Sequence, residues 1–179
     1  VMKSIYKSWD SKLYYTYLKE FNIPVTSIIK KLSKGMRKKL EIATALAHHP
    51  KLLILDEPTS GLDPVVRNEV LDIFLKFIAD DEHTILFSTH ITSDLEHIAD
   101  EIVLIDKGKV LINKTRDEIL DNYGILKCNL DEFAKIDKSD YMAYKKNKYN
   151  YEILVSDRNK VSKKYKNMVV DKITLEDLM

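Results

Sequence analysis

Glycine is the first shortage. The 179 residues hold four, and none precedes Gly35. Gly35, Gly61, Gly108 and Gly124 stand too far apart to form G-x-x-x-x-G-K-[ST], so these residues contain no such phosphate cradle. Cysteine is represented by Cys128 alone, which excludes an internal disulfide framework and reads as a reduced strand residue. No run reaches the roughly 18 apolar residues of a membrane span, and no secretory leader pattern is visible, so a membrane role is expected to come through a partner. Charge is abundant but balanced, with 29 basic against 28 acidic residues, and this argues against a general nucleic-acid binder. Repeats and low-complexity tracts are also missing. With 45% hydrophobic residues the chain can build a core of ordinary domain size.

The informative stretch is Leu52-Leu53-Ile54-Leu55-Asp56-Glu57-Pro58-Thr59-Ser60-Gly61-Leu62-Asp63-Pro64. Four apolar residues between Pro50 and two acids predict a short buried strand with Asp56 and Glu57 at its carboxyl end, the edge where open α/β sheets bind ligands. Such a pair suits a hard cation and a water nucleophile; two solvated acids are the plainer alternative. Pro58 and Gly61 turn the chain, and Asp63-Pro64 supplies a helix N-cap with proline at the first helical position.

Upstream, helical spacing of Leu13, Tyr17, Leu18 and Phe21 predicts a helix from about 11 to 21, with Trp9 packed beside it. Ser33 is placed as the N-cap of a second helix running to about His48, whose free amides, hydroxyl and Gly35 make a potential anion site. The basic run from Lys30 to Lys39 carries no interleaved aromatics and reads as a solvated face. Downstream, Val65, Val70, Leu71, Phe74 and Ile78 mark a helix over about 64–79, and Thr84 to Thr89 a second buried strand followed by His90. Strand, acids, helix, strand makes a βαβ unit, so His90 is expected near Asp56 and Glu57. His48, His49, His83 and His97 receive no catalytic role and have no metal-ligand spacing with cysteine. Ile102–Ile105 and Val110–Ile112 read as a hairpin, and Thr115 as the cap of a short helix. Beyond Gly124 the apolar groups shorten. A strand over about 149–155, a helix over about 157–165, a short strand at Val169-Val170 and a terminal helix capped by Thr174 are expected, with Tyr141, Tyr144, Tyr149 and Tyr151 packing on a sheet.

Leu32-Ser33-Lys34-Gly35-Met36, the Asp56-Glu57 segment with its following loop, and Ser88-Thr89-His90 together resemble the signature motif, Walker B motif, D-loop and switch histidine of ABC transporter ATPase subunits, exporters in particular. Lys34 and Met36 stand where the commonest signature has glycine and glutamine, so a contact from Met36 would be backbone or packing. The resemblance is strong from about Leu32 to Ile112. It implies an α/β fold, a partial P-loop NTPase parallel sheet of the ABC ATPase type over 1–124, and a small α+β accessory region over 125–179. It implies ATP and Mg²⁺ as cofactors, Asp56 supporting the metal, Glu57 polarising the attacking water and His90 holding the terminal phosphate. Ser33, Gly35 and Met36 would meet the nucleotide of the opposite subunit, and Asp63 would belong to the loop linking the two.

The implied partners are a second ATPase subunit and an integral membrane permease, with a cytoplasmic position, peripheral on the inner face of the cell membrane. The implied function is ATP hydrolysis driving export. Without the phosphate loop the chain reads as the carboxyl portion of such a subunit, inactive alone. The alternatives are a soluble ABC-type ATPase acting on ribosomes or nucleic acid, and a nonenzymatic remnant.

Overall fold

Asp10 accepts a hydrogen bond from the Leu13 amide, and this cap starts the first long helix where the sequence places it. The computed structural model describes residues 2–178. Its elements begin with α1 (Met2–Ile5), α2 (Ser11–Glu20), α3 (Lys34–Leu46), β1 (Leu52–Asp56), α4 (Pro64–Ile78), β2 (Thr84–Ser88) and α5 (Thr92–Ile98). They continue with β3 (Glu101–Asp106), β4 (Lys109–Thr115), α6 (Arg116–Asn122), β5 (Gly124–Cys128), α7 (Leu130–Phe133), β6 (Ala143–Lys146), β7 (Tyr151–Val155), α8 (Arg158–Lys164) and β8 (Val169–Lys172). Among these, no helix is long and apolar enough to cross a membrane. Two compact units divide the chain between Asp94 and Leu95.

In the first unit, β1 and β2 pair in parallel with α4 between them, in a register that sets Asp56 opposite Ser88. Leu18, Phe21, Ile42, Leu46, Leu53, Leu71 and Phe74 are buried, with Phe74 fully enclosed. Each such side chain contributes about 1.5–3 kcal/mol by leaving water. The expectation of two buried strands needs correction. Leu53 is buried, whereas Ile54 is 71% exposed, as are Leu52 and Leu86 in large part. Side chains alternate across a strand, and within the described residues this pair is covered on one face only. A continuous apolar run states that both faces are apolar, not that both are covered.

The basic run also departs from a uniformly solvated face. Lys39 is buried and ion-paired with Glu69 of α4, so one of its lysines joins α3 to α4. Trp9 lies against Tyr14, with ring centroids 5.0 Å apart, in agreement with a packing role.

In the second unit, β3 and β4 form an antiparallel hairpin closed by Lys107 and Gly108, both at positive φ (48° and 75°). This is the geometry that a two-residue hairpin connection selects, and glycine adopts it freely. Thr115 and Glu118 cap α6 reciprocally. Ile119 and Tyr123 of that helix region pack with Ile102, Ile112, Ile173 and Leu175. The hairpin and α6 therefore share a core with Ile173 and Leu175.

The remaining strands make an antiparallel sheet in the order β6-β7-β5-β8. Leu126, Cys128, Ile153, Val155 and Val161 are buried beneath it. Phe133 stacks on Tyr151 with centroids 4.0 Å apart and Tyr144 borders it, so both tyrosines make ring contacts, although Tyr144, like Tyr149, stays exposed. Burial pushes the Cys128 thiol above its ordinary range.

Asp140 is buried between Lys164, Tyr165 and Lys160. The Lys164 ammonium, then the Tyr165 hydroxyl, hold its carboxyl below the ordinary value near 3.8. A depressed folded-state value stabilises above the unfolded pKa and is lost as pH falls through the folded one. The second unit is expected to lose stability from about pH 4 downward. Denaturant unfolding followed between pH 6 and pH 3 checks this, and Lys164→Met should flatten the slope. Lys164 itself is shifted upward by Asp137, then by Asp140, so its contribution is present at neutral pH and is lost only as pH rises above the ordinary lysine value.

Candidate active site at the carboxyl ends of the parallel strands

Asp56 ends β1, and Glu57 follows with φ of 45°, which turns its side chain off the line of the strand. The Glu57 amide donates to the Ser88 carbonyl oxygen at 3.2 Å and to Ser88 Oγ at 3.1 Å. Ser88 Oγ in turn donates to Asp56 Oδ1. Ser88, absent from the sequence-based site, is the hydroxyl that locks the acidic pair to the neighbouring strand. The signal was a polar residue ending the second strand opposite the first acid.

His90 Nδ1 lies 2.8 Å from Glu57 Oε1. An ionised carboxylate only accepts, so Nδ1 carries the proton of this contact. The other Glu57 oxygen, Oε2, is buried without a hydrogen-bond partner. An orphaned acceptor beside an acid at a strand end fits a group that receives a proton from water. Among the described residues no three His, Cys, Asp or Glu side chains gather into a metal cage. Mg²⁺ binds through one or two carboxylates together with substrate phosphates and water. Asp56 and Glu57 are the residues available for it.

The helix-start residues form a separate group. Ser33 Oγ accepts from the Met36 amide at 3.2 Å, so the hydroxyl caps α3 as expected. A Cβ placed on Gly35 would stand 2.7 Å from Val66 Cγ1. What approaches Gly35 closely in this structure is Val66 of α4. Asp63 Oδ1 accepts from the Val66 amide at 3.1 Å and caps α4. The Lys34 ammonium lies over Gly61, where a Cβ would stand 2.1 Å from Nζ, and Gly61 has φ of 66°. The start of α3 and the loop ending at Asp63 are thus packed into one surface.

Sequence reasoning also missed a buried polar network. Asp94 is fully buried. It accepts from Thr59 Oγ1 at 2.5 Å, from Arg67 Nε at 2.5 Å and from Thr89 Oγ1 at 3.3 Å. Arg67 also donates to Ser93 Oγ. In the sequence Asp94 reads as a routine acid in the first turn of a helix.

The chain is similar to ATP-binding proteins of ABC transporters. The family model described as ABC transporter matches residues 4–60. The chain is 46% identical over 89 residues to the lantibiotic transport ATP-binding protein SrtF of Streptococcus pyogenes, covering 50% of this chain and 38% of that protein. It is 40% identical over 97 residues to the daunorubicin/doxorubicin resistance ATP-binding protein DrrA of Streptomyces peucetius, covering 54% of this chain and 29% of that protein. The solved structure of cbiO1 from Clostridium perfringens, part of the ABC transporter complex cbiONQ, superposes with a TM-score of 0.52 at 30% identity, covering 60% of this chain and 44% of that one. The fold is accordingly of the ABC-ATPase, P-loop NTPase type.

One reading is overturned here. A carboxyl portion lacking the phosphate-loop segment, with its resemblance strong only from about Leu32, does not survive a family match that starts at residue 4 and runs through the N-terminal helices. The likeness to ABC transporter ATP-binding proteins therefore takes in the segment before Leu32 as well. The chain spans 36% to 38% of the length of curated relatives from Mycoplasma pneumoniae and Streptococcus pyogenes.

Proposed function

We propose that this chain belongs to an ATP-binding and ATP-hydrolysing subunit of a dimeric ABC transporter of the export type. The observation that carries the reading is the Glu57–His90 contact beside Asp56, at the carboxyl ends of two parallel strands. Similarity to SrtF and DrrA, whose names refer to lantibiotic transport and drug resistance, favours export.

In this reading Glu57 takes the proton of the attacking water through Oε2, the oxygen without a partner. His90 fixes the carboxylate through Oε1 and faces the terminal phosphate. Asp56, held by Ser88, supports Mg²⁺, which when bound offsets charge on the transferred phosphoryl group. The capped amides at the start of α3 present Ser33, Gly35 and Met36 to the nucleotide of a second subunit, and Asp63 lies in the loop between subunits. A second ATPase subunit and a membrane permease are the partners, with the protein peripheral on the cytoplasmic face of the membrane. The finer division of the fold, an ATPase portion over 1–124 followed by an accessory α+β region, belongs to the same proposal.

The test is hydrolysis by the full-length subunit reconstituted in vesicles with candidate membrane permeases. Steady-state phosphate release that depends on Mg²⁺ and rises more steeply than linearly with subunit concentration is expected. Release linear in subunit concentration would remove the dimeric site, and no release with any membrane partner would remove the reading.

A further inference from the structure

Asp94 is a carboxylate with no exposed surface, in a unit whose other acids mostly reach solvent. Burying a charge is costly unless it is paired and hydrogen-bonded, and replacement by apolar groups is often neutral or better for stability. Stability alone is therefore a poor reason for it. Its own amide bonds to the Ile91 carbonyl oxygen, as a residue in a first helical turn does. The carboxylate, by contrast, bonds side chains from three other places. Thr59 lies two residues after Glu57 in the loop between β1 and α4, Arg67 on α4, and Thr89 immediately before His90. Thr89 Oγ1 also accepts from the Ile91 amide at 3.0 Å, which shapes the backbone on the far side of His90.

We propose that Asp94 is a positioning residue that fixes the Glu57 loop and the His90 segment relative to each other, so that Glu57 and His90 meet in hydrogen-bonding register. It has no exposed surface and acts through Thr59 and Thr89. The proposal rests on the reading of Glu57 and His90 given above. Two hydroxyls on one carboxylate oxygen make the coupling direct: loss of either leaves the shared oxygen short of a donor and loosens both segments, while Arg67 still pairs with Asp94.

Thr59→Val removes one hydroxyl at nearly constant volume, and Thr89→Val removes the other. In the full-length protein, Thr59→Val should speed amide hydrogen exchange in both 57–62 and 89–94 while α3 and the second unit exchange as before. In the reconstituted transporter, turnover per folded molecule should fall about 10-fold with nucleotide affinity within about twofold, the mark of misplacement rather than lost binding. Thr59→Ser, which keeps the hydroxyl, should restore both readouts. Faster exchange confined to 57–62, or turnover unchanged in both valine variants, would overturn the proposal. A parent protein that hydrolyses no ATP would remove the functional reading instead, and the exchange measurement would still decide whether Asp94 couples the two segments.

Discussion

Glu57→Gln is expected to lower ATP turnover of the full-length subunit by about 10²–10⁴-fold, the range a positioned general base supplies. The amide keeps the length and shape of the side chain. Its carbonyl oxygen can still accept from His90 Nδ1, so the 2.8 Å contact and the left-handed turn beneath it need not change. What disappears is the capacity to take a proton through the buried, unpartnered Oε2. Binding should therefore survive while chemistry stops, and nucleotide-driven pairing of subunits should persist with ATP trapped. Single-turnover kinetics together with size-exclusion chromatography in ATP separate the two effects. Steady-state hydrolysis equal to that of the parent would remove Glu57 from the role of base.

The second large effect is expected at Gly35. Replacing it with valine puts a Cβ 2.7 Å from Val66 Cγ1, and Val66 is β-branched and stiff at χ1, so it cannot swing aside. Overpacking of this kind costs about 1–3 kcal/mol. It should appear as a lower unfolding midpoint and looser packing of α3 on α4. Val66→Ala in the same chain should restore most of the loss, because it removes the atoms in conflict; a double-mutant cycle measures that coupling directly. Were Gly35 needed only to admit a nucleotide, Val66→Ala would leave the Gly35→Val defect as it was.

Much of the site was legible before the fold was known. The caps at Ser33 and Asp63, the strand ending in Asp56 and the placement of His90 beside Glu57 follow from local rules and from one βαβ crossover. These are short-range signals: an N-cap needs three residues, and a parallel pair needs only two apolar runs joined by a helix. The buried network at Asp94 was invisible because its partners Thr59, Arg67 and Thr89 come from separate segments, and nothing local distinguishes a buried acid from an exposed one at the start of a helix. Lys39 was misread for the same reason, its ion pair with Glu69 being a tertiary event inside a run that looks solvated. In the second unit the long apolar strand β7 and the capped helix α6 were readable. The edge strand β6, whose four residues are all exposed, offers no periodic contrast to detect.

Glu57 sits at a φ of 45°, a conformation that side chains bearing a Cβ adopt at a cost of about 1–3 kcal/mol. Glycine would adopt this conformation without that cost. If Glu57 is the base proposed above, position 57 is where the molecule trades robustness for competence, and Glu57→Gly is predicted to raise the unfolding midpoint of this chain.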